Sequence, residues 1–164
     1  MNLLTAMENL RSSGGVLSEK ADAEFHVAVN AVREILEITQ KAYDENDPGL
    51  AEKVEPLEEV IDSMIEALKA HHIRRMTRGE CEIYAGIQYE NMLNSMERTS
   101  DQCSDLAVFI ISMNDTSIIG LEHQYIHNLH HSNNKKYLDN FDEYHDKYFG
   151  ELKIINDHFQ EKEE

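Results

Sequence analysis

Apolar and small residues recur at alternating intervals of four and three along most of the chain. From Ser18 to about Tyr43 they fall at Ala21, Phe25, Ala28, Val32, Ile35, Thr39 and Ala42. That rhythm predicts a helix packed nearly parallel to its neighbours, with one stripe inward and the rest in water. Ser18 follows a Ser-Ser-Gly-Gly break at 12–15 and can cap this helix. A second helix carries Leu50, Val54, Leu57, Ile61, Met64 and Leu68 and is expected to run to about Thr77. Asp47 reads as its N-cap and Pro48 as its first residue. Pro56 lies inside the pattern, lacks an N–H and crowds the carbonyl of Glu52, so a kink is expected there. Gly79 ends this helix. A third begins near Glu80 and carries Gly86, Tyr89, Leu93, Met96, Ser100, Cys103, Ala107 and Ile110.

Beyond Met113 the stripe weakens. "SIIGLEHQYIHNLHH" (117–131) predicts a short helix that stops at Ser132-Asn133-Asn134. Tyr137, Phe141, Tyr144, Tyr148, Leu152 and Ile155 then place a last helix. No segment alternates with period two, so no sheet is expected. The predicted fold is all-α: an antiparallel three-helix bundle over residues 16–113. Residues 1–15 are expected to form the tail of a preceding helix or segment. Residues 114–164 are expected to add one or two helices that cover the side or end of the bundle.

Charge narrows the partners. Asp plus Glu number 32 against 15 Lys plus Arg, a net charge of −17. Such a chain is a poor match for nucleic acid or an anionic membrane surface and favours cations, basic protein surfaces or plain solubility. Hydrophobic residues make up 41%, too many for a disordered acidic chain. The longest apolar run, "LAVFIISM" (106–113), falls far short of the ~20 residues a membrane helix needs. The first fifteen residues have neither the basic start nor the apolar core of a signal peptide. Direct membrane insertion is therefore not expected, and a soluble chain is. Cys81 and Cys103 make no CxxC and are expected to be buried small hydrophobes in a reducing compartment.

The candidate chemistry is carboxylate. Glu97, Asp101 and Asp105 are spaced by four, so they lie along one side of the third helix. Glu97 and Asp101 each sit one position past a stripe residue, Met96 and Ser100. On the second helix Glu58 and Asp62 sit one position past Leu57 and Ile61. If the two helices are antiparallel neighbours, both Glu-x-x-x-Asp pairs can face each other at similar height. Glu58, Asp62, Glu97 and Asp101 would then suit a divalent or trivalent ion such as iron, manganese, zinc, nickel or magnesium. Without it they repel, so binding would also stabilise the bundle. The competing reading is a solvated acidic face, common in so acidic a chain. His123, His127 and His131, with His130 alongside, offer either a softer zinc or nickel face or a cationic cap at a helix C-terminus. His71 and His72 have the same capping explanation. Enzyme signatures are lacking: no paired Glu-x-x-His, no His-Glu-x-x-His, no phosphate-cradling glycine loop and no Gly-x-Ser-x-Gly.

"ERTSDQCSDLA" (97–107) resembles the Glu-Arg-x-x-Asp-His-x-x-Asn-x-Ala signature of PhoU-type domains, and "LAEKVEPLEEVID" (50–62) resembles their second-helix segment. "HIRRMTRGECEIYAGIQYENMLNSMERTSDQCSDLA" (72–107) and "HQYIHNLHHSNNKKYLDNFDEYHDKY" (123–148) are similar to the PhoU-like C-terminal domain of bacterial sodium/phosphate cotransporters. The resemblance implies a three-helix repeat that acts in control of phosphate uptake. It also implies that Glu-x-x-x-Asp motifs can hold metal. Glu58 and Asp62, with Glu97 and Asp101, match those motif positions. Asp105 falls where the family usually has Asn, Gln102 where it has His and Thr99 where it has an aliphatic residue.

The first expectation is thus a non-enzymatic regulatory domain, the cytoplasmic PhoU-like part of a sodium-dependent phosphate transporter. Its partner would be the membrane part of that transporter, a phosphate-signalling protein or a second copy of the chain. The alternatives are a metal-dependent bundle enzyme and a purely structural dimerisation module.

Overall fold

The computed structural model describes residues 3–131 and 133–160, and among these it contains helices and no strand. The elements are α1 (Leu3–Ser12), α2 (Glu19–Glu45), α3 (Pro48–Ala51), α4 (Val54–Thr77), α5 (Ile83–Asn114), α6 (Glu122–His131) and α7 (Lys135–Gln160), with a 3₁₀ turn at Thr116–Ile118 before α6. Ser18 caps α2, its Oγ accepting from the Ala21 N–H at 3.2 Å. Asn46, in the left-handed region at φ 47°, ends α2, and Asp47 then caps α3 by accepting from Gly49 and Leu50 N–H. Left-handed Gly79 terminates the turn after α4.

Two boundaries differ from the sequence reading. The second helix is not one rod kinked at Pro56. The chain breaks at Glu52 and Lys53 and restarts at Val54. Pro56 therefore stands in the first turn of α4, where its missing N–H has no intrahelical acceptor to lose, and no kink is needed. The third helix starts at Ile83, because the residues after Gly79 are taken up by the turn. Of the expected break at 132–134, Ser132 lies outside the described residues. Asn134 accepts from Lys136 and Tyr137 N–H at the head of α7.

The stripes read from the sequence form the core. All seven stripe positions of α2 are buried, as are Val54, Leu57, Ile61, Met64 and Leu68 of α4 and all eight positions of α5. Each fully buried Leu or Ile stabilises by about 1.5–3 kcal/mol relative to exposure. α2 and α4 run antiparallel, tied by Glu24 to His71 and Arg75. α4 and α5 also run antiparallel, tied by Lys69 to Glu97 and by Ser104 to Glu55. α7 lies along α2 and α4 as a fourth long rod, with Lys147 and Tyr148 bonded to Glu34 of α2. α1 packs on α5, and Ala6 is its buried residue. α6 has no buried residue.

Cys103 is buried as expected; Cys81 is only half-buried, because it lies in the turn between α4 and α5 and not on a stripe. His71 and His72 do not cap a helix end. His71 bonds to Glu24, and His72 is buried with its ring centroid 5.0 Å from that of Tyr89. Gly86 makes room for it: a Cβ there would stand 2.8 Å from His72 Nε2. No helix among the described residues is long and apolar enough to cross a membrane.

Candidate metal centre

The antiparallel pairing of α4 and α5 sets the centre. Glu58 and Asp62 are one turn apart on α4, beside buried Leu57 and Ile61. Asp101 follows buried Ser100 on the facing stretch of α5. One carboxylate oxygen from each of Glu58, Asp62 and Asp101 lies within 4.8 Å of the other two. The sequence expectation that carboxylates of both helices meet at one height is thus seen in three of its four residues. The fourth, Glu97, accepts a hydrogen bond from Lys69 Nζ at 2.6 Å and stands outside the trio. Asp105, exposed on the next turn, lines a separate cleft with His123.

Electrostatics show how strained this grouping is. Burial, the Asp62 charge and then Glu55 and Asp101 push the Glu58 carboxyl up to about 9. Burial, Asp101 and Glu97 push Asp62 up to about 6. Asp101 is raised by burial and by Glu97, partly offset by its hydrogen bond with Glu58. At neutral pH Glu58 therefore holds a proton and donates it toward Asp101. Asp62 Oδ1 is buried with no hydrogen-bond partner among the described residues. An orphaned buried oxygen beside two further carboxylates is a donor set that fits a hard cation, which would satisfy that oxygen and replace the proton.

Two further carboxylates that the sequence pattern does not single out, Glu55 and Glu59, stand beside Glu58. Glu55, one turn before Glu58 and buried, accepts from Ser104 of α5 and pairs with His130 Nε2 of α6 at 2.7 Å. The other ring nitrogen of His130 faces Glu59 at 3.5 Å. One imidazole thus bridges two carboxylates of α4 and fastens α6 to the bundle. Tyr137 of α7 lies beside the same group: burial and then Glu59, Glu55 and Glu58 raise its hydroxyl above the usual tyrosine range. Glu55 and Glu59 repeat the spacing of four, a signal visible in the sequence; His130, 75 residues from Glu55, carries none. Of the expected histidine face, His127 and His131 stack on each other at 4.3 Å and are exposed. His130 turns away to Glu55, so the four histidines do not converge.

The PhoU domain family matches residues 28–110, a span that contains α4 and all three residues of the trio. Comparison with curated proteins gives no match, and neither does comparison with solved structures.

Proposed function

The chain belongs to the PhoU domain family, a regulatory and non-enzymatic one, and we propose that it regulates inorganic phosphate transport as the cytoplasmic PhoU-like part of a sodium-dependent phosphate transporter. The observation that carries the mechanism is the convergence of Glu58, Asp62 and Asp101 across the α4–α5 seam, with Asp62 Oδ1 left unsatisfied. A bound divalent or trivalent cation supplies positive charge at this point. The chain's own residues supply the rest. A proton on Glu58 lets it bond Asp101 and holds α4 against α5. Once that proton leaves, three carboxylates repel across the seam, and the packing depends on what replaces it. Glu97 and Asp105 stand close enough to add charge without being drawn into the trio.

The consequence is mechanical. α4 carries Glu55 and Glu59, which fasten α6 through His130, and it packs along α7. A change in how α4 sits on α5 therefore reaches the C-terminal helices. The surface they present would dock on the membrane part of the transporter or on a phosphate-signalling protein. An all-carboxylate trio suits charge neutralisation better than the mixed imidazole and carboxylate sets of redox bundles, which favours regulation over the enzyme reading.

The test is phosphate uptake in cells in which the encoding gene is replaced by wild type or by Asp101→Asn at equal protein level. The proposal expects a changed dependence of uptake on external phosphate in the variant. Identical uptake curves for wild type, Asp101→Asn and a full deletion would remove the regulatory role. Elemental analysis of the purified protein separates the metal reading from a purely structural bundle: near one equivalent of a multivalent metal supports the former.

A further inference from the structure

The end of the bundle remote from the acidic trio has the opposite character. A cleft of about 850 Å³ opens where the N-terminus of α2, the C-terminus of α4 and the C-terminus of α7 come together. Lys20, His71, Arg74, Arg75 and Arg78 line it, against two lining carboxylates, Glu19 and Glu80. Four Lys or Arg against two Glu reverses the balance of the whole chain, which has 15 against 32. Three of the six arginines in the sequence are gathered here. The dipole of α4 favours some positive charge at its C-terminus. It does not account for Lys20, which arrives from another helix.

The floor of the cleft is built. Glu24, fully buried, takes a hydrogen bond from Arg75 Nη1 at 2.8 Å and pairs with His71 Nδ1 at 2.8 Å. Arg75 also stands over the Tyr89 ring, 5.8 Å from its centroid. These contacts fix Arg75 and His71 in place, and Arg75 Nη2 still has no acceptor among the described residues. Among the described residues Arg74 and Lys20 have no carboxylate partner, and Arg78 has a loose, exposed contact with Glu80 at 3.9 Å. The first turn of α2 adds backbone donors: Ser18 satisfies the Ala21 N–H, while the N–H groups of Glu19 and Lys20 point out of the helix end.

From this geometry we infer that the cleft binds a phosphate-type polyanion, two or more linked phosphoryl groups, through Arg74, Arg78, Lys20 and the N-terminus of α2. Guanidinium forks and backbone N–H groups pair with several oxygens of one tetrahedral group at once, which a single carboxylate cannot match. The net negative charge of the protein does not forbid this. The acidic trio lies about 20 Å away along α4, and exposed charges are screened beyond about 8 Å at physiological salt.

The inference is independent of the cation and is tested without it. Metal-stripped protein in excess chelator is titrated calorimetrically with inorganic tripolyphosphate, adenosine triphosphate, orthophosphate and a hexaglutamate peptide. Tripolyphosphate should bind more tightly than hexaglutamate and orthophosphate, and its affinity should fall as salt rises. Equal affinity for tripolyphosphate and adenosine triphosphate assigns recognition to the phosphate chain; tighter binding of the nucleotide adds its nucleoside to the ligand. The Arg74→Ser/Arg78→Ser variant, whose changes are exposed and leave the Glu24 clamp intact, should lose about tenfold or more in affinity. Asp101→Asn should bind as wild type does. No binding by wild type, equal binding by the arginine variant, or equal affinity for hexaglutamate overturns the inference. Loss in Asp101→Asn alone would place the anion at the acidic trio and overturn it too.

Discussion

Glu58→Gln isolates the charge that the α4–α5 seam carries. In the folded protein burial and the neighbouring carboxylates push the Glu58 carboxyl up to about 9, against an ordinary value of 4.5. The folded state therefore binds one proton more than the unfolded state between these values, and stability must fall as pH rises through that window. At 1.36 kcal/mol per unit the full swing is about 6 kcal/mol. Roughly 3.4 kcal/mol of this falls between pH 6.5 and 9; Glu58 is only half-buried, so water and relaxation of the two helices screen part of it, and about 2 kcal/mol is the expected loss over that range. For a chain of this length that is a drop of about 6 °C in melting temperature. Asp62 acts in the same sense, but at about 6 its window closes below this range. Glutamine mimics the protonated acid in shape and hydrogen bonding. The variant should already be more stable than wild type at pH 6.5, where unfolded wild type has lost its proton, and should lack the downward slope that widens the gap toward pH 9. The assay is urea or thermal denaturation in excess chelator at half-unit steps of pH. Equal slopes for variant and wild type from pH 6.5 to 9 would refute the assignment of this strain to Glu58.

Three further outcomes follow from the packing. Glu24→Gln leaves buried Arg75 and half-buried His71 without their carboxylate and should cost about 3 kcal/mol in a urea melt; a loss below about 1 kcal/mol would mean that water reaches the clamp. Gly86→Ala should destabilise by about 1–3 kcal/mol although alanine is the better helix former, because its Cβ meets His72 Nε2 and, at 3.2 Å, Met76 Sδ. Adding His72→Ala should recover much of that loss, and a double variant no better than Gly86→Ala would point to another cause. His130→Ala removes the bridge to Glu55 and Glu59, so amide exchange over 122–131 should accelerate while α2, α4 and α5 keep their protection; unchanged exchange would mean that α6 is held by its apolar contacts instead.

What the sequence revealed depended on the range of the forces involved. The stripes of α2, α4 and α5 were legible because a buried helix face repeats every turn, and the Asp47-Pro48 start because capping is local. The meeting of Glu58, Asp62 and Asp101 followed from two matched offsets and an antiparallel pairing. Glu97 shares that offset, yet Lys69, 28 residues away, claims its carboxylate, and nothing in either helix pattern marks the pair. The apolar rhythm continues unbroken across Glu52 and Lys53, where the helical backbone does not, so the pattern implies a kink at Pro56 that the structure does not need. His130 and the arginine cleft were invisible for one reason: each joins segments some fifty or more residues apart through contacts that have no period.

The central claim is that the α4–α5 seam is held by positive charge placed among Glu58, Asp62 and Asp101. It is tested most directly by melting metal-stripped protein with and without added manganese, iron, zinc, nickel or magnesium, beside Asp101→Asn. At least one of these metals should raise the melting temperature of wild type and leave the variant unmoved, with the two proteins alike in chelator. Equal losses for Asp101→Asn in chelator and in metal, or wild type indifferent to every cation, would contradict the account.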